Sequence, residues 1–154
     1  MESATPEFKE LLSTFNEHGV KYLIVGAFAV MIYSEPRYTK DLDIWVEASM
    51  ENAEKVFAAL RAFGAPLTDL TEKDFTEEGF YQMGRPPGRI DVLLSLDGCE
   101  FDAAWTNRKS DEFRGVLVHY IGKDDLIRNK KLAGRHQDLA DIENMQFRRI
   151  SDLD

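Results

Sequence analysis

Two aspartates stand one residue apart in Asp41-Leu42-Asp43-Ile44-Trp45-Val46. In an extended segment alternate side chains share a face, so Asp41 and Asp43 point one way and Leu42 and Ile44 the other. Aspartate is a poor strand former, and two on one face of an otherwise apolar strand call for a reason. Close carboxylates repel, and one of them tends to keep its proton. A hard divalent cation such as magnesium removes that conflict, because it prefers carboxylate oxygens. The competing reading is a charged strand edge that discourages aggregation. A further carboxylate, Asp91, sits in Arg89-Ile90-Asp91-Val92-Leu93-Leu94, where Ile90 and Val92 take the opposite face. If these two strands are neighbours, the three carboxylates converge at one end of a sheet.

The elements that must hold them can be read outward from this point. Tyr22-Leu23-Ile24-Val25 is an apolar run of strand length, closed by Gly26. A short helix from Ala27 to Tyr33 follows, with its N-terminus at Gly26, and helix N-termini offer free amides to anions. The chain turns at Glu35-Pro36, and Arg37 and Thr39-Lys40 lead into the aspartate pair. Before this region, residues 6–18 carry Phe8, Leu11, Leu12 and Phe15 at helical spacing, with Gly19 as terminator. After it, Ser49 caps a helix over residues 50–63 and Gly64 ends it. Residues 65–78 read as loop with one short helix. Phe80 to Met83 and Arg89 to Leu94 form a hairpin around Gly84-Arg85-Pro86-Pro87-Gly88. A short helix over residues 100–107, a strand over 116–121 and two helices over 124–133 and 136–147, parted by Gly134, complete the chain.

The pattern of an apolar run, Gly26 and a small residue, then Asp41-apolar-Asp43, then Asp91 on a later strand resembles the nucleotidyltransferase superfamily, with its DNA polymerase β-like fold. The resemblance implies that Asp41, Asp43 and Asp91 hold two magnesium (or manganese) ions and carry catalysis. It also implies that the Gly26-Ala27 turn approaches the nucleotide phosphates. Ala27 departs from the usual Gly or Ser, so only its backbone amide is available there. A second stretch, Leu126-Ile127-Arg128-Asn129-Lys130 through Gly134-Arg135-His136-Gln137-Asp138-Leu139-Ala140-Asp141, resembles a helical motif of a small bacterial branch related to AbiE-type toxin nucleotidyltransferases. In that resemblance Lys130 faces the active site and Arg135, Asp138 and Asp141 follow it. Lysine suits a point contact to phosphate and arginine a paired one. Asp138 and Asp141 share a helix face and can orient Lys130 or Arg135 instead of touching substrate. A solvated, ion-paired helix face is the plainer alternative.

Composition bounds these readings. The chain has 154 residues and a formal net charge of −9. The length suits one domain spanning residues 1–154. The charge disfavours broad non-specific nucleic-acid binding, which needs many phosphate contacts. No apolar run reaches the roughly 18 residues of a membrane helix, and the N-terminus lacks a signal pattern. One cysteine, Cys99, excludes an internal disulfide, and the expected location is the cytoplasm. His18, His119 and His136 show no metal-ligand spacing.

The fold expected is α/β (α+β) and nucleotidyltransferase-like: a small mixed sheet flanked by helices, with a helical C-terminus. The activity expected is magnesium-dependent transfer of a nucleoside monophosphate from an NTP to an RNA, protein or small-molecule acceptor. An antitoxin protein is the partner that the AbiE resemblance implies. Two rivals stand beside it: a catalytically silent binding or regulatory subunit, and a metal-dependent phosphohydrolase.

Overall fold

The computed structural model describes residues 5–34, 41–85 and 88–151. Arg37, Thr39, Lys40 and the turn at Glu35-Pro36 lie outside the described residues, as does the Pro86-Pro87 pair.

Helix α1 spans Thr5–Glu17, and Phe8, Leu11, Leu12 and Phe15 are fully buried along one stripe. Strand β1 covers Tyr22–Val25 and is buried throughout, as its uninterrupted apolar run requires. Helix α2, Gly26–Tyr33, leaves β1 with no intervening loop. Strand β2 is Asp41–Val46 and helix α3 is Met50–Phe63. The ends of α3 follow its sequence signals. Ser49 Oγ accepts from the Asn52 amide at 3.1 Å, and Gly64 takes a left-handed φ of 96° that no side chain adopts cheaply.

A 3-10 helix, Glu72–Thr76, leads to strands β3, Phe80–Met83, and β4, Arg89–Leu93. Helix α4, Phe101–Thr106, precedes strands β5, Lys109–Phe113, and β6, Val116–Tyr120. Helices α5, Lys123–Ala133, and α6, His136–Ser151, close the chain.

Strand β5 has no counterpart among the sequence expectations. Its Lys-Ser-Asp-Glu run has neither apolar alternation nor β-branched residues, because it is an exposed edge strand.

The six strands form one mixed sheet in the order β3-β4-β2-β1-β6-β5. β2 runs antiparallel to β1 and parallel to β4, and β1 runs parallel to β6. The starts of β2 and β4 therefore share a sheet end with the finishes of β1 and β6. Helices α1 and α3 pack together, α1 also meets β6, and α2 lies against β1 and β2. Their apolar stripes join Leu23, Ile24, Leu42, Ile44 and Val92 in a continuous core. Among the described residues, no helix is long and apolar enough to cross a membrane.

Candidate active site

The end of the sheet where β1 finishes and β2 and β4 begin gathers the carboxylates. Asp43 pairs in register with Val25 on one side and Asp91 on the other, and Asp41 pairs with Arg89. Parallel register puts Asp43 and Asp91 on one face at adjacent positions. The adjacency of the two strands, which the sequence left open, is present. Asp91 is buried, and its Oδ1 accepts from Gln82 Nε2 at 2.9 Å.

Arg89 organises the rim of the cluster. Its Nη2 donates to Asp41 Oδ2 at 2.7 Å, while its Nε stands 3.6 Å from Asp91 Oδ2, an ion-pair distance. Arg89 and Gln82 were not among the expected site residues. The signal for Arg89 was in the sequence: it stands two residues before Asp91, on the same strand face.

Asp43 carries the electrostatic strain. Its pKa is pushed up to about 7, first by burial and then by the charge of Asp91, a hydrogen bond with Asp91, and Asp41; Arg89 opposes the shift. Two neighbouring carboxylates repel, which favours the protonated form of Asp43.

Gly26 makes this proximity workable. Its φ of 67° is left-handed, and a Cβ added there would collide with Asp43 Oδ2. The start of α2 is thereby drawn onto the carboxylates. Val25, the N-cap residue, gives that helix start no side-chain cap, and the residue that follows Gly26 is Ala27, which offers a backbone amide but no hydroxyl.

Lys130 and Arg135 belong to a second cluster, at the α5–α6 junction. Lys130 Nζ lies 3.1 Å from both Asp138 Oδ1 and Asp141 Oδ2, and all three residues are buried. Arg135, largely exposed, donates from Nε to Asp138 Oδ2 at 2.6 Å. The Arg135 hydrogen bond, and then Lys130, hold the Asp138 carboxyl down at about 2. Both aspartates hold Lys130 and Asp138 also holds Arg135, so the Lys130 ion pairs are buried while the Arg135 pair meets solvent.

A cleft of about 600 Å³ opens at the same sheet end, beyond β1. Its walls include Tyr33, Asn107, Arg108, Lys109 and Gly122. Ile121 N donates to Ile24 O at 3.1 Å, which sets Gly122 at the level of the Gly26 turn. Among the described residues, no group of three or more histidine, cysteine, aspartate or glutamate side chains is placed to hold a metal ion, and Asp41 Oδ2 accepts from Arg89.

Comparison with solved structures shows what this architecture is shared with. An antigenic nucleotidyltransferase-like protein from Paracoccidioides brasiliensis superposes with a TM-score of 0.58 at 17% identity, covering 93% of this chain and 75% of that one. The lincosamide antibiotic adenylyltransferase LnuA, in its lincomycin-bound form, gives 0.53 at 16% identity, covering 92% of this chain and 95% of that one. At such identities the likeness is one of fold, and the fold is nucleotidyltransferase-like. No curated protein matches the sequence. A family profile, however, matches residues 2–154, with the carboxylate strands and the α5–α6 cluster inside the match. The chain is a member of the family described as nucleotidyltransferase of unknown function (DUF6036).

Proposed function

We propose that this chain transfers the nucleoside monophosphate of an NTP to an acceptor hydroxyl and releases pyrophosphate. The observation that carries the reading is the Asp43–Asp91 pair, adjacent in register with Asp43 against the Gly26 turn. A silent domain has no use for two neighbouring carboxylates whose charges oppose each other.

The donor set suits a hard divalent cation, Mg2+ or Mn2+. Asp43 and Asp91 are adjacent oxygen donors, and the repulsion that raises the Asp43 pKa is one that a cation relieves. Asp43 and Asp91 would hold the cation, with Asp41 joining from its position on Arg89. When bound, it supplies Lewis-acid stabilisation of phosphoryl oxygens.

The chain's own residues account for the rest. Backbone amides at Gly26 and Ala27 face the triphosphate at the uncapped start of α2. Asp91, steadied by Gln82, receives the proton of the acceptor hydroxyl. Arg89 bridges Asp41 and Asp91, and its positive charge offsets their mutual repulsion. Lys130 reaches phosphate only by leaving Asp138 or Asp141. Its geometry supports a positioning role, locking α5 to α6 beside α2. Arg135, more exposed, is the better placed of the two to meet an anion.

The test uses α-labelled NTP, magnesium or manganese, and three acceptor sources: bulk RNA, a protein lysate and the protein alone. Asp91→Asn keeps the shape but removes the proton acceptor, so it should retain NTP binding and lose turnover, lowering kcat more than affinity. Label on an acceptor that vanishes in Asp91→Asn supports transfer. Free nucleoside monophosphate as the sole product identifies a phosphohydrolase. Binding without turnover for all four NTPs identifies a regulatory subunit.

A further inference from the structure

A second reactive arrangement lies outside the carboxylate cluster. Ser110 on β5 is the cross-strand partner of His119 on β6, and Ser110 Oγ is 2.7 Å from His119 Nδ1. Other hydroxyls are bonded to weak bases. Thr14, Ser34 and Thr106 donate to helix carbonyls, and Ser49 donates to the Glu47 carboxylate while capping α3. A carbonyl does not accept a proton in neutral water, and a carboxylate is basic only near its pKa of about 4. Imidazole titrates close to neutral pH, where a general base works best.

The surroundings keep His119 ready for that role. Its ring packs against Tyr22 at 5.6 Å and Trp105 at 5.5 Å. The Arg108 guanidinium lies 3.9 Å from the Trp105 ring. Burial, and then the charge of Arg108, hold the His119 pKa below its ordinary value, so the imidazole is neutral at neutral pH. Ser110 itself is exposed, on a strand that is the edge of the sheet among the described residues. Arg108 and Lys109 precede it in sequence and suit an approaching phosphate.

We propose that Ser110 is an acceptor in the transfer reaction, taking a nucleoside monophosphate from an NTP held at the carboxylate cluster of a second copy of this chain. This rests on the transfer reading above. Ser110 Oγ bonds to the α-phosphorus and the bond from that phosphorus to the β-phosphate oxygen breaks. Pyrophosphate leaves with the electron pair, and the hydroxyl proton passes to His119 Nδ1, which for this acceptor replaces Asp91 as proton acceptor and leaves Asp91 the part of holding the cation. The product is a phosphodiester joining Ser110 to the nucleoside. A second copy is required because β2 and β5 are three strand spacings apart, about 14 Å, whereas attack needs the reacting atoms at about 3–3.5 Å.

Purified protein is incubated with each NTP and magnesium or manganese, then analysed by intact mass and peptide mapping. The expected result is one added nucleoside monophosphate, on Ser110. Ser110→Thr should keep labelling and Ser110→Ala should lose it. His119→Gln should slow it by about 100-fold or more, the usual worth of a general base. In a mixture, Ser110→Ala should label the Asp43→Asn copy, which does not label itself. Asp43-dependent pyrophosphate release, or label on added RNA, protein or small molecule, with Ser110 unmodified would overturn the acceptor role and leave the transfer reading standing. Self-labelling of Asp43→Asn alone would overturn the link between the two sites. Neither pyrophosphate nor adduct with any NTP would overturn the transfer reading itself, and Ser110 with it.

Discussion

Asp43 and Asp91 are register partners on the parallel strands β2 and β4, so a half-buried carboxyl stands beside a buried one. Burial and then the charge of Asp91 push the Asp43 pKa up to about 7.

Stability should therefore depend on pH in an unusual direction for an acid. The folded pKa of Asp43, about 7, lies above its unfolded value of 3.8. Between these values the folded state binds a proton that the unfolded chain releases, so this group's contribution falls as pH rises through that window. Asp43→Asn removes the conflict. In metal-free buffer it should raise the melting temperature by a few degrees near pH 8, and by less near pH 5. Thermal melts at the two pH values check this. Equal or lower stability of the variant near pH 8 would mean that the carboxylate pair is not strained.

Gly26→Ala should be costly for two reasons at one position. The residue holds a left-handed φ, and its new methyl would displace Asp43. A loss of about 1–3 kcal/mol is expected in urea unfolding, together with loss of NTP binding. Ala27→Gly leaves the Asp43 contact intact and should preserve nucleotide binding, which equilibrium dialysis can measure.

Removing Lys130 should unbalance a buried cluster. Lys130→Ala leaves Asp138 and Asp141 facing each other without their shared cation. The expected cost is about 3–5 kcal/mol, against at most about 0.5 kcal/mol for the exposed neighbour in Lys131→Ala. Chemical denaturation of the two variants decides it. If Lys130→Ala is nearly neutral for stability but weakens NTP binding, Lys130 acts on phosphate and the positioning role is wrong.

Acid should reveal the same cluster from its other side. Asp138 has a folded pKa of about 2, below its ordinary value of 3.8. Its stabilising contribution is complete above the unfolded value and is lost as pH falls toward 2. Arg135→Ala removes the main cause of the depression, so its acid-unfolding midpoint should lie at higher pH than that of the natural chain. An unchanged midpoint would show that Arg135 does not hold Asp138 ionised.

Local signals in the sequence went far, and they fail where long-range register takes over. Ser49 and Gly64 delimit α3 because capping needs only neighbouring residues. Asp41 and Asp43 share a face by strand geometry alone, but their meeting with Asp91 depends on β2 lying beside β4, which no local signal encodes. Arg89 was legible as a same-face neighbour of Asp91, though its bond to Asp41 crosses strands. Lysine is usually exposed, so a buried Lys130 between two aspartates had to be seen in three dimensions. β5 was invisible for the reason that makes it an edge: its charged residues meet solvent, not core. The Ser110–His119 bond inherits that blindness, since it exists only once β5 pairs with β6.

β2 is bordered by β1 on one side and β4 on the other, so Asp43 sits on an interior strand instead of a loop. Interior strands with apolar neighbours are the last segments to open in hydrogen exchange. The amides of β2 should accordingly exchange only through global unfolding. Inactivation on warming should then track the cooperative melting of the whole chain, with no earlier phase in which the site softens while the fold persists. Fluctuations that admit substrate must come from what surrounds this fixed floor, and the floor itself contributes nothing to the rate of opening.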